Sequence, residues 1–439
     1  PADNVTATYT RAAGETVLGG PYHITATLAP AAVLSNYTIT NAGADFTINA
    51  RNATWTTNAA SKTYGDADPS PLTTGSGTNF LAADGVTATY TRAAGETVLG
   101  GPYHITATLA PAAVLSNYNI TNAGASFIIN VKTVTPSVTA SDKPYDGTKT
   151  ATITACTVSP KVGTDDVACV AASATFASAN ASPNPQTVTA IGILLTGVTA
   201  PNYALSSNTA VTMAHINPAP TSTSVSSSAN SSVFGQSVTF SATVSNTGTS
   251  PTPTGSVQFI IDGTNFGSPV PVAGSGGTAT AASMSTTTLS VGTHNVVAAY
   301  TNSDGNFMGS TSSTFKQQVN YGFLGLQSPY MPPPTTFNVK RTMPLKWQYT
   351  NSGGAVVNSA SANPVVMIQG PYACGTANSA GDITVSDAGA SGYQYDSTTN
   401  TWQFNWQVKG NAPGCYDIFI KSQQSGQTNG AFPINVVNQ

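Results

Sequence analysis

Few residues in this chain could do chemistry, and their spacing argues against catalysis. The histidines, His23, His104, His215 and His294, are scattered, and the only glutamates, Glu15 and Glu96, sit in two copies of one Gly-Glu-Thr. Catalysis needs an acid, a base or a nucleophile that converge on one place. No Ser stands in a Gly-x-Ser-x-Gly turn with plausible partners. No catalytic residue is assigned, and the chain is not expected to be an enzyme. The four cysteines fall as two pairs, Cys156 with Cys169 and Cys374 with Cys415, each inside one proposed domain. Even pairing predicts two disulfides, each worth about 2 to 4 kcal/mol. There is no Cys-x-x-Cys spacing to hold a metal.

Asp66 and Asp68, and Asp165 with Asp166, are candidate oxygen ligands for calcium between domains, but turn formation is the ordinary role of such residues and no cofactor is assigned. His23 and His104 each lie between Tyr and Ile on an expected strand, where a cross-strand or rim role is ordinary. Trp402, Phe404, Trp406 and Val408 alternate, a parity that places them in a core. Tyr393 and Tyr395 lie in a polar stretch and are the better candidates for exposed ligand contacts. Carbohydrate recognition by the last domain would require solvent-facing aromatics, so burial of Trp402 and Trp406 would remove that reading.

The elements that must position these residues are strands. Of 439 residues only 7% are charged, which leaves little Glu, Lys or Arg for exposed helices, whereas Thr and Val favour a pleated sheet and Gly, Asn and Pro favour turns. Alternation marks half-buried strands at Val238, Phe240, Ala242 and Val244, and at Val257, Phe259 and Ile261 before an Asp262-Gly263 turn. The fold expected is all-β, a set of immunoglobulin-like sandwiches in an elongated array. The net charge of −3 carries no basic run, so nucleic acid and anionic membrane surfaces are poor partners. No apolar stretch is long enough to span a bilayer. No initiator Met or signal peptide stands at Pro1, and any leader or anchor is expected outside this segment.

An internal repeat sets the organisation. Val5 to Tyr37 and Val86 to Tyr118 are identical, 81 residues apart. The second copy is preceded by 51–85, for which the first has no counterpart, so the first unit is expected to lack its N-terminal strands unless something else supplies them. The expected divisions are a partial repeat at 1–50, a complete one at 51–131, and three further domains at 132–217, 218–320 and 321–439.

Four resemblances follow from particular residues. The complete repeat carries Lys62-Thr63-Tyr64-Gly65-Asp66-Ala67-Asp68-Pro69, Arg92 to Glu96, Tyr103-His104-Ile105 and Asn117-Tyr118, and resembles the MBG domains of large bacterial adhesin-like proteins. Residues 132–217, with Lys143-Pro144-Tyr145-Asp146-Gly147, Asp165-Asp166-Val167 and Asn202-Tyr203, resemble the YDG domain that accompanies MBG units. Residues 218–320, with Gly235-Gln236-Ser237-Val238 and Gly255-Ser256-Val257-Gln258-Phe259, are similar to the bacterial Ig-like repeat. The last segment resembles the PxKF domain through Pro344-Leu345-Lys346-Trp347, with Trp in place of the usual Phe. These resemblances imply β-sandwiches of a secreted cell-surface protein and no defined chemistry.

The expected function is therefore structural and adhesive: an extracellular stalk, or a subunit of a surface filament that self-associates through strand edges or end-to-end contacts. The alternative is an adhesin that binds surface glycans through its C-terminal domain.

Overall fold

In the computed structural model the described residues are 2–246, 251–330, 335–376, 384–385 and 392–438. They are nearly all β, and the α-helices among them, Ala31–Leu34 and Ala112–Leu115, are single turns. The chain falls into two compact units, one of Pro1–Ser141, Thr150–Phe176 and Thr187–Met213, the other of Asp142–Lys149, Ala177–Gln186 and Ala214–Gln439.

In the first unit the repeat shows how one sequence takes two burial states. In the second copy the strands Ala60–Thr63, Ala125–Asn130, Tyr103–Ala110 and Thr87–Arg92 form one sheet, and Gly75–Thr78, Arg51–Thr57 and Tyr118–Thr121 form the other. Tyr103, Ile105 and Ala107 alternate inward while His104, Thr106 and Thr108 face out, as a period of two requires. In the first copy the strands Thr6–Arg11, Tyr22–Ala29 and Ala44–Phe46 form a single sheet. Phe46 is 43% exposed where its counterpart Phe127 is 0%, and Tyr37 is 52% exposed where Tyr118 is 7%. Around Phe127 the second copy has Ala60, Tyr64 and Leu72, and against Tyr118 it has Phe80, all from the stretch 51–85 that precedes it. Burying such a side chain is worth about 1.5 to 3 kcal/mol.

The rest of the first unit comes from segment 132–217. Lys132–Ala140 pairs antiparallel with Ile153–Ser159 and parallel with Tyr203–Leu205. The Cys156–Cys169 disulfide, with 5.2 Å between Cα atoms, ties Ile153–Ser159 to Ala168–Val170.

The second unit holds two larger sandwiches. In 218–320 a sheet of Thr221–Ser227, Phe240–Asn246, Thr278–Ala282 and Ala273–Ser275 faces one built on Phe315–Asn320, Gly292–Thr301 and Ser256–Ile261. Val238, Phe240, Ala242 and Val244 are all buried in the core between them. Asp262 (φ 50°) and Gly263 (φ 81°) make the two-residue turn between Ile261 and Thr264, the left-handed pair that a tight hairpin demands. In 321–439 Met343, Leu345, Trp347 and Tyr349 of one strand meet Trp402, Phe404 and Trp406 of its neighbour in a single core. The Cys374–Cys415 disulfide is also formed.

Candidate functional site

One open hollow is lined by Asp68, Tyr90, Arg92 and Glu96, and there Arg92 is ion-paired with both carboxylates. The polar groups that recur with fixed geometry lie where one sandwich meets the next. Three of the four joints begin with an aromatic residue at the end of a short edge strand. Tyr64, Tyr145 and Phe234 follow Ala60–Thr63, Lys143–Pro144 and Ser232–Val233, and each of those strands pairs parallel with the last strand of its own sandwich. The aromatic residue's N–H then donates to the carbonyl of the final Asn of that last strand: Asn130 at 2.9 Å, Asn217 at 2.8 Å and Asn320 at 2.8 Å. An edge strand held on one side only presents its terminal side chain outward, as a tip.

The receiver is an Asn followed by an aromatic residue. Asn117 Oδ1 accepts the Val17 N–H of the preceding copy at 3.0 Å, Asn202 Oδ1 accepts the Val98 N–H at 2.9 Å, and Asn306 Oδ1 accepts the Ala181 N–H at 2.9 Å. Asn202 and Asn306 are each only 5% exposed, so these bonds satisfy amides that would be costly to bury unpaired. The tip packs on the aromatic beside the Asn: Tyr64 lies edge-on to Tyr203 and Tyr145 edge-on to Phe307, both at 5.4 Å between centroids. The fourth joint differs. There Phe234 packs into the core of the last sandwich, its carbonyl accepts the Ser352 N–H at 2.8 Å, and Gln424 Nε2 donates to the Val291 carbonyl at 3.2 Å.

A carboxylate completes two receivers. Tyr203 Oη donates to Asp165 at 2.6 Å and accepts the Val162 N–H at 2.9 Å, and Tyr64 Oη donates to the same Asp165 oxygen at 2.9 Å. In the second copy Tyr118 donates likewise to Asp84 and accepts the Leu81 N–H. Burial, and then the Asp165 carboxylate, push the Tyr203 phenol up to about 12, and the same causes raise Tyr64; both stay protonated donors at neutral pH. Gly65 (φ 84°) passes so close to Val162 that a Cβ there would strike its side chain.

Two devices hold the joint elements in place. Lys62, in the strand that carries the tip, and Arg92 both pair with Asp68 and Glu96, while Arg92 lies over the Phe127 ring at 4.8 Å and donates to the Gly95 carbonyl. This cluster fastens the tip to the loop that presents the Val98 N–H. Hydrogen bonds from Arg92, opposed by burial and aided by Lys62, hold the Asp68 carboxyl down at about 2. On the receiving side, the Cys156–Cys169 disulfide brackets the loop that carries Val162 and Asp165.

The residues singled out in the sequence land as follows. Asp68 and Asp165 are engaged in these networks, Asp66 lies 3.8 Å from Lys132, and Asp166 accepts the Val198 N–H. Among the described residues no group of three or more His, Cys, Asp or Glu could hold a metal ion. His23 and His104 sit on the outward face of their strands. Trp402 is 8% and Trp406 2% exposed, which removes stacking of sugars on those rings. Tyr393 and Tyr395, expected as exposed ligand contacts, are half-buried and pack against the core. They pair in register with Phe404 and Trp402, so they share the inward parity of those residues; Tyr393 Oη accepts the Val366 N–H and Tyr395 Oη the Ser359 N–H. The receivers escaped sequence reasoning, although Asn117-Tyr118, Asn202-Tyr203 and Asn306-Phe307 all stand in the chain as Asn–aromatic pairs.

Comparison with known families identifies three of the segments. Residues 53–128 match the MBG domain (YGX type), 130–210 the YDG domain and 225–320 the bacterial Ig-like domain (group 3). No curated protein sequence matches the chain. Among solved structures, invasin, a bacterial integrin-binding protein, is similar at 13% identity over 70% of this chain and 60% of its own, with a TM-score of 0.27. An adhesin of Yersinia pseudotuberculosis is similar at 14% identity over 49% of this chain and 58% of its own, with a TM-score of 0.23. Three N-terminal domains of the Hoc outer capsid protein of bacteriophage RB49 are similar at 10% identity over 70% of this chain and 99% of theirs, with a TM-score of 0.27. No helix among the described residues is long and apolar enough to cross a membrane.

Proposed function

We propose that the chain is a stalk: a jointed array of Ig-like sandwiches of a bacterial surface adhesin-like protein, which sets the distance and direction at which a binding surface is displayed. The observation that carries this reading is the recurrence of the joint, in which an N–H of one segment is received by an Asn side chain of the next three times over. A flexible tether needs no such bonds. Matches of successive segments to MBG, YDG and bacterial Ig-like domains support a surface location and a modular build, and we assign 321–439 to the PxKF type on Pro344-Leu345-Lys346-Trp347.

Electron microscopy of the isolated chain over a range of concentrations, with and without calcium, tests the proposal. Separate beaded rods of constant length are the expected result. Collapsed particles of many shapes would refute a stalk, and ordered filaments that appear with concentration would replace it with a self-assembling subunit.

A further inference from the structure

Three joints share more than their bonds. Between the Asn that ends one sandwich and the first paired residue of the next lies a single residue each time: Ala50 between Asn49 and Arg51, Val131 between Asn130 and Lys132, Pro218 between Asn217 and Ala219. The residue after that linker always pairs parallel with the receiver's aromatic, Arg51 with Tyr118, Lys132 with Tyr203 and Ala219 with Phe307. Yet the sandwiches on either side match three different families.

We infer that these parts form one interchangeable connector: the tip of the MBG-type repeat, Tyr64 together with the Val98 N–H, fits the Asn306-Phe307 receiver of the Ig-type domain as it fits Asn202-Tyr203. The partner such a tip recognises is an Asn–aromatic pair on a sandwich reached through one linker residue, whatever the family of that sandwich. Two features make the exchange chemically reasonable. The Asn takes a backbone N–H, which every donor loop offers regardless of side chain. The aromatic face receives the tip edge-on, at the same 5.4 Å and steeply inclined at 74° and 86° in the two joints, and an edge-on contact is available to Phe as to Tyr. The hydroxyl–Asp165 bonds are then an addition to the connector and not its basis, since Phe307 has no hydroxyl.

This inference rests on the stalk reading, and amide hydrogen exchange separates the two. In the full chain the Val98 N–H is expected to be protected; free exchange there would refute the rigid joint itself. The connector is tested by deleting Lys132–Pro218, so that Val131 leads directly into Ala219. Val98 is expected to stay protected in the shortened chain, and a further Asn306→Ala change to speed its exchange at least about tenfold. In the full chain the same Asn306→Ala change should speed Ala181 and leave Val98 alone. Unprotected Val98 in a folded shortened chain overturns the proposal. A second variant covers the case in which the shortened chain does not fold: Tyr203→Phe turns the native receiver into an Asn–Phe pair, and Val98 should keep its protection to within about threefold. Loss of protection in that variant also overturns the connector.

Discussion

Removing the Cys156–Cys169 disulfide should loosen one joint and spare another. The bridge closes a loop with a sequence separation of 13, for which the loss of unfolded-chain entropy corresponds to about 3 kcal/mol. A Cys156→Ala, Cys169→Ala chain should therefore unfold at lower urea, with the loss confined to the part built from 132–217. The loop freed by this change carries Val162, whose N–H reaches Tyr203, and Asp165, which binds both Tyr64 and Tyr203. Its release should weaken the seating of Tyr64 and speed exchange of Val98, whose acceptor Asn202 directly precedes Tyr203. Val17, whose acceptor is Asn117 of another sandwich, serves as the internal control and should not change. Residue-resolved hydrogen exchange with urea titration measures both effects. A loss of about 3 kcal/mol with Val98 unmoved would show that the bridge steadies the sandwich and not the joint. Equal acceleration of Val98 and Val17 would show that the joints do not respond separately.

Three other outcomes are expected. The Asp68 carboxyl sits at about 2 when folded against an ordinary 3.8, so its contribution is complete above the unfolded value and is lost as pH falls from about 4 through about 2. With a side chain 35% exposed, screening limits it to about 1 kcal/mol, and the Asp68→Asn chain should show a correspondingly flatter acid limb in urea unfolding. Trp402→Ala should cost about 3 to 5 kcal/mol in urea unfolding, because the ring is stacked on Trp347 and its Nε1–H reaches Ser359. Calcium at millimolar levels, or its chelation, should shift the melting temperature by less than about 1 °C, since among the described residues no group of three or more His, Cys, Asp or Glu could hold the ion.

Strands were easy to read in this sequence because burial on one face imposes a period of two, and Val238 to Val244 display it without interruption. The Asp262-Gly263 turn was legible because few residues adopt positive φ twice in succession. The two disulfides followed from pairing within segments. The half-burial of Tyr393 and Tyr395 was not legible because their local polarity says nothing about parity, which the register with Phe404 and Trp402 decides. The joints were hidden for a different reason. A tip and its receiver lie about 100 residues or more apart, as Tyr64 and Asp165 do, and their bonds use backbone N–H groups that every residue possesses. Only the constant step from the terminal Asn to the residue beyond the linker was written locally, and its meaning depends on which strands run parallel.

That parallel arrangement has a mechanical consequence. In the second copy each opening strand makes one parallel contact, Arg51–Thr57 with Tyr118–Thr121 and Ala60–Thr63 with Ala125–Asn130, beside the antiparallel pairing of Arg51–Thr57 with Gly75–Thr78, and the same parallel contact closes the later sandwiches at Lys143–Pro144, Ser232–Val233 and Thr335–Asn338. When a chain is pulled by its two ends, strands that run in the same direction slide past each other instead of peeling apart. Tension would therefore load the ladder bonds of each contact together, in shear, and each sandwich would hold until several bonds gave way at once.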